Sequence, residues 1–173
     1  MNIFVLDRDP SRAAEYHCDK HVVKMVLEAA QLLSDVHRFY DPGTTLSIYR
    51  PLASHRRHPC AVWARTNGAN YAWLLSLAVA LGTEFELRYE KKHKSQELVE
   101  GPLRILPKML TLDTLRTPFV QAMPDEYKCK DVVLAYRRYY AFEKMRFAKW
   151  ERGGRTAPIW LADALKGSGS WNN

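Results

Sequence analysis

Cysteine is scarce in this 173-residue chain: Cys18, Cys60 and Cys129 are an odd number at wide spacing. That pattern excludes a disulfide framework, and reduced thiols are expected. Long apolar runs are missing too, since no window approaches the roughly 18 uninterrupted apolar residues of a membrane span. Met1 to Phe4 leads straight into Asp7-Arg8-Asp9 without the regions of a signal peptide, so a soluble cytoplasmic protein with no membrane partner is expected. No phosphate-cradling glycine loop and no dinucleotide fingerprint occur, hence no cofactor is expected. Internal repeats and low-complexity blocks are absent. What remains is 47% hydrophobic and 26% charged, a composition that excludes disorder as the main state.

Charge of one sign dominates. Twenty-six Lys and Arg against nineteen Asp and Glu give +7, which favours an anionic partner and DNA above all. The pattern of apolar residues predicts a mainly α fold, a single helical domain over 1–166 with about five to seven helices and irregular connectors, followed by a flexible tail over 167–173. Asp9-Pro10 reads as a helix cap with proline in the first turn, and Asp19 caps or continues a longer helix reaching about Val36. Pro59 opens a further helix carrying Cys60 to Thr66, and Asn67-Gly68 breaks it. Ala69 to about Lys94 reads as a second long helix, apolar through Leu81 and then a charged rod with Glu84 and Arg88 four apart. Gly101 to Pro124 reads as a partly extended connector and Asp131 to about Arg152 as the last long helix. Gly153-Gly154 ends it, and Pro158-Ile159-Trp160 packs back.

The most informative stretch is His17 to Leu33. On a helix advancing roughly 100° per residue, His17, His21, Lys24, Glu28 and Gln31 follow a 4-3-4-3 spacing and share one narrow arc with Lys20 at its edge, while the rest of the circumference is apolar. Such a helix is mostly buried, and its polar row must line a cleft or close into a network, because unpaired buried polar groups cost on the order of 1–3 kcal/mol. Read as a site, Glu28 handles protons, Lys24 acts as electrophile or nucleophile, and His21 completes the catalytic set. Read blandly, the row is a solvated edge with an ion pair.

His55, Arg56, Arg57 and His58, just before a helix start, combine positive side chains with free backbone N–H groups and suit phosphate. No metal is expected. A zinc site from Cys18, His21, His58 and Cys60 is the weaker alternative, since no pair has a finger spacing. From Asp131 to Arg155 seven Lys or Arg stand against three acids, interleaved with rings. Arg137, Arg138 and Lys144 are therefore further candidates for nucleic-acid contact, with Lys20. His17, Gln31, Asn70 and Tyr136 are candidates for touching a base, although Asn70 also reads as a buried hydrogen-bonding group and Tyr136, with Trp63, Tyr71 and Trp73, as core.

Asp7-x-Asp9 with Arg12-Ala13-Ala14, the run Asp19 to Leu33, His58-Pro59-x-x-x-Trp63 and Tyr71-x-Trp73-Leu74 together resemble small helical proteins of the pyrimidine-dimer DNA glycosylase-like kind, over Asp7 to Leu87. With Ala122-Met123-Pro124-Asp125-x-Tyr127 and Ala135-Tyr136-Arg137-x-Tyr139-Tyr140, the chain is similar to an uncharacterised tailed-phage group from Met1 to Trp160. The first resemblance implies attack at the anomeric carbon of a damaged or modified pyrimidine nucleotide, with Glu28 and Lys24 matching the carboxylate and the imine-forming amine by type. It also implies a flipped-out base, DNA repair or modification, and a phage-infected bacterial host. At its start the chain departs from the phage dimer-specific enzyme, which uses a processed N-terminal amine; here Met1 precedes Asn2, a residue too large for efficient methionine removal. Two alternatives accompany the glycosylase: a transferase joining an amine to an activated hydroxymethyl pyrimidine in DNA, and a non-catalytic binder of DNA or nucleotide.

Overall fold

In the computed structural model, which describes residues 1–50, 52–112 and 115–166, seven α-helices form among the described residues and no strand does. The mainly α class and the helix count follow the sequence reading. The expected tail at 167–173 lies outside the described residues.

The first helix, α1 (Pro10–Tyr16), starts where expected: the Asp9 carboxylate accepts from the backbone N–H groups of Ser11 and Arg12. It does not run into the next helix. The chain leaves helical geometry at His17 and Cys18, and α2 (Asp19–Tyr40) begins afresh, so His17 precedes α2 instead of opening its polar row. Of the 22 residues of α2, 14 are buried, in line with its reversed proportions of apolar and polar surface. The short α3 (Pro59–Ala64) is capped by His58, whose Nδ1 accepts from the N–H of Cys60 at 3.2 Å.

α4 (Gly68–Tyr89) is the central partner of α2. Asn67 caps it, and Gly68 is required there because a Cβ would lie 2.2 Å from the Thr111 carbonyl oxygen. α4 ends five residues earlier than the reading placed it, at Glu90 with φ +54°, and a short α5 (Gln96–Glu100) follows that the sequence did not announce. Its second half is no solvated rod either. Glu84 and Arg88 are buried with Asp19 and Arg155 in an ion network.

The connector over 101–124 is irregular, as expected, with one short 3-10 turn at Pro102–Arg104. α6 (Val132–Glu143), capped by Asp131, stops well short of Arg152. Tertiary bonds explain the early stop: the Lys149 carbonyl accepts from Asp19 N–H, Asp19 Oδ2 accepts from Glu151 N–H, and Trp150 Nε1 donates to the Tyr16 carbonyl. A continued helix would carry all three away from α1 and α2. Gly153 and Gly154 turn the chain at positive φ, and α7 (Ile159–Lys166) returns Trp160 against Tyr16 and Tyr140.

Ile3 to Leu6 threads through the core as an extended segment, every residue buried. Phe4 sits at φ +33°, a strained value for an aromatic residue, held by Asn2 Oδ1, which accepts from the N–H groups of Ile3 and Phe4. This segment lies along the polar row of α2. Among the described residues no helix is long and apolar enough to cross a membrane.

Candidate active site

The row on α2 is a seam against which three other segments are laid. At its midpoint is Glu28, 8% exposed. Its Oε2 accepts from the backbone N–H of Asn2 at 2.9 Å and lies 4.0 Å from the α-amino nitrogen of Met1, while Oε1 lies 3.3 Å from Lys24 Nζ. One carboxylate is thus held between two amines. Lys24 is mostly in solvent, so the pair has one buried and one open arm.

His58 and Cys60 lie beside this carboxylate. Burial and then the positive chain terminus hold His58 below its usual range, against the pull of Glu28. Burial pushes the Cys60 thiol up to about 12, which keeps it protonated and unsuited to nucleophilic attack. Because the imidazole of His58 caps α3, it is committed to the fold on one ring nitrogen and is not the open phosphate ligand the sequence suggested.

Two turns from Glu28 towards the start of α2, His21 is enclosed by Phe4, Tyr140 and Phe147 at ring-centroid distances of 4.8, 5.1 and 5.3 Å. Burial, reinforced by His17 and the surrounding lysines, lowers its pKa to about 3, so at neutral pH it is an uncharged ring and no acid. Its Nδ1 has no hydrogen-bond partner among the described residues. His17 is fully buried, its Nδ1 2.6 Å from the Ala13 carbonyl, and burial lowers it to about 4; it meets no surface from which to touch a base. Lys20 lies 5.1 Å from the centre of the Phe147 ring, and Lys144 lies 4.4 Å from that of Tyr139, so two of the proposed phosphate ligands flank the same aromatic cluster.

Two turns beyond Glu28 comes Asp35, which the sequence reading left out although it continues the spacing of the row. Fully buried, it pairs with Arg56 and Arg65 at 3.4 Å each. Burial raises its pKa against the pull of both guanidinium groups. Asp35 therefore draws the basic loop onto α2, and Arg57 beside it is exposed. His55 is half-buried, with Nδ1 unpartnered among the described residues. Gln31 is half-buried between Glu28 and Asp35.

Other candidates are not brought here. Asn70 is fully buried; it donates to the Trp63 carbonyl and Thr117 Oγ1 and accepts from Thr117 N–H. Tyr136 is equally buried, its hydroxyl donating to the Val120 carbonyl and accepting from Ala122 N–H. Both serve the fold, as the core alternative had it, and neither presents an edge to a base. Arg137 is tied to the Leu6 carbonyl and Asp7 and covers Tyr16 and Trp160. Arg138 is half-buried and engaged within the protein. The zinc alternative fails, because among the described residues no group of three or more His, Cys, Asp or Glu is placed to hold a metal.

The group the sequence could not offer is the backbone N–H of Asn2, which carries no side-chain signal. A cavity of about 550 Å³ between α1 and α4 contains none of the row; of its charged lining, Glu15 and Glu84 both pair with Arg155, and Arg104 is the fourth charged residue. No family model, no curated protein and no solved structure matches this chain.

Proposed function

We propose that the chain processes bases in DNA, as an N-glycosylase acting on a damaged or modified pyrimidine. The observation that carries this reading is the Glu28 carboxylate, nearly buried and flanked by Lys24 and the Met1 amine. A carboxylate so placed suits the developing cation of a sugar losing its base, and it suits taking a proton. In the hydrolytic form, a water oxygen bonds to C1′, the C1′–N bond breaks, its electron pair leaves with the base, and the water proton passes to Glu28. In the lyase form, Lys24 first releases its ammonium proton to solvent and its nitrogen bonds to C1′ as the base departs. Glu28 then takes a proton from that nitrogen and returns it to O4′ as the ring opens, leaving a protonated imine. Lys20, Lys144, Arg56 and Arg57 supply positive charge along the same seam, and half-buried Tyr139 and Phe147, at the edge of the buried cluster around Phe4, supply faces for an unstacked base. Such a protein would work in the cytoplasm of a phage-infected bacterium.

The test is base release, read as strand breaks with and without hot alkali, on labelled duplexes carrying thymine dimers, abasic sites, hydroxymethyluracil or no lesion, with and without borohydride. Lesion-dependent product is expected, and peptide mapping of any trapped adduct assigns it to Lys24 or to the Met1 amine. Tight binding with no product from any duplex would contradict the glycosylase and favour the transferase or the plain binder.

A further inference from the structure

Past the end of the seam, an open cavity of about 410 Å³ is lined by Arg38, Pro42, Gly43, Thr44, Arg50 and Arg56. Three of its six lining residues are arginines and none is a carboxylate. The three guanidinium groups are held differently. Arg38 donates from Nε to the Tyr49 carbonyl at 2.7 Å and from Nη2 to the Ile48 carbonyl at 3.0 Å, which fixes its plane and leaves the rest of its five donors unused by those bonds. Arg56 is steadied by Nε at 3.4 Å from buried Asp35. Arg50 is exposed and has no hydrogen-bond or ion-pair partner among the described residues. Two carboxylates stand close by: Asp35, already shared by Arg56 and Arg65, and Asp41 at the end of α2, whose Oδ1 would lie 3.8 Å from a Cβ on the lining residue Gly43.

One guanidinium plane fixed by two hydrogen bonds, a second drawn to Asp35 by an ion pair and a third without a partner are an excess of donors, and such groups suit the oxygens of a phosphoryl group. We infer that Arg38, Arg50 and Arg56 form a phosphate-binding pocket, distinct from the Glu28 site. Arg38 lies ten residues beyond Glu28 on α2, about 15 Å along the helix axis. That separation places a phosphate several nucleotides from the base at Glu28, so the pocket fixes the register of the strand; this last step rests on the DNA reading. The phosphoryl group comes either from a nucleic-acid backbone or from a free phosphate ester.

Two measurements on the full chain separate these sources. Inorganic phosphate is titrated while the arginine side-chain Nε–H resonances are followed, and duplex affinity is measured against salt for the wild type, Arg50→Ala and Lys91→Ala. Arg50 is the residue to change because it supports no other contact, and Lys91 is an exposed cation outside the pocket that controls for net charge. Saturable shifts of Arg38, Arg50 and Arg56 with phosphate are expected. The salt slope should fall by about 0.9 in Arg50→Ala and stay unchanged in Lys91→Ala. Phosphate shifts in a protein that binds no duplex would keep the pocket, assign it to a free phosphate ester and overturn the DNA reading. Phosphate shifts with a duplex slope identical in Arg50→Ala would assign the pocket to a free phosphate ester, and resonances that move with neither phosphate nor duplex would overturn the pocket; neither result touches the DNA reading.

Discussion

Two i,i+4 pairs of opposite charge, Glu84 with Arg88 on α4 and Lys24 with Glu28 on α2, are equivalent on paper and opposite in the fold. Arg88 is 4% exposed and its guanidinium donates five hydrogen bonds, to Glu84 twice, Asp19, and the carbonyls of His17 and Glu15. Arg155 completes the far side of Glu84. Every donor is used, so the cluster is closed and can only hold α1, α2, α4 and the 149–155 segment together. The Lys24–Glu28 pair keeps its cation in solvent and its anion under cover. The difference teaches that charge pattern alone does not mark a site; what marks it is a buried charge whose partner can leave.

The comparison breaks most visibly at Arg88. Arg88→Ala leaves buried Glu84 to Arg155 alone and takes from buried Asp19 its ion pair, and a loss of about 3–5 kcal/mol in denaturant unfolding is expected. A loss below about 1 kcal/mol would mean the closed network is not structural. Acid comes next. His17 and His21 are held neutral, with pKa values lowered to about 4 and about 3 from 6.5. Because the folded values lie below the unfolded one, their contribution is complete above about pH 6.5 and decreases as unfolded-state imidazoles protonate. It is gone once pH has passed through about 4 and about 3. Each imidazole should cost about 2 kcal/mol by pH 5. His21→Phe, in its aromatic surroundings, should remove one share of that slope, and an unchanged slope would place the titration elsewhere.

Arg155→Ala sharpens the contrast at the half-exposed edge of the network, where about 1–2 kcal/mol is expected from the lost charged hydrogen bonds to Glu84. Lys24→Ala should change stability least, by no more than about 0.5 kcal/mol, as exposed i,i+4 pairs do. If base release proceeds through an imine at Lys24, the same variant should abolish borohydride trapping at that position while binding persists.

Much of this was legible in the sequence. The Asp9 cap, the start at Pro59, the inverted apolar helix and the burial of Trp63, Tyr71 and Trp73 all follow local rules that the fold obeys. The misplacements have one cause in common, bonds from residues distant in sequence. Asp19 receives Glu151 and Arg88, and so α6 stops early, the helix breaks before Asp19, and the apparent charged rod of α4 is interior. At the site, the row from His21 to Gln31 was readable, although His17 falls outside α2, and its extension to Asp35 was there to be read. That Asn2 would bring its N–H to Glu28 was not, because a backbone group contributes nothing to a pattern of side chains.

The account rests on Glu28 being a working carboxylate and not a buried strut. The direct measurement is single-turnover base release by Glu28→Gln on a lesion-bearing duplex that the wild type cleaves, with affinity and unfolding followed on the same samples. The account predicts a rate lower by about 10²–10⁴-fold, affinity within a few-fold, and a folded protein. A variant that releases base at the wild-type rate, or that loses affinity and rate in equal proportion, would contradict it.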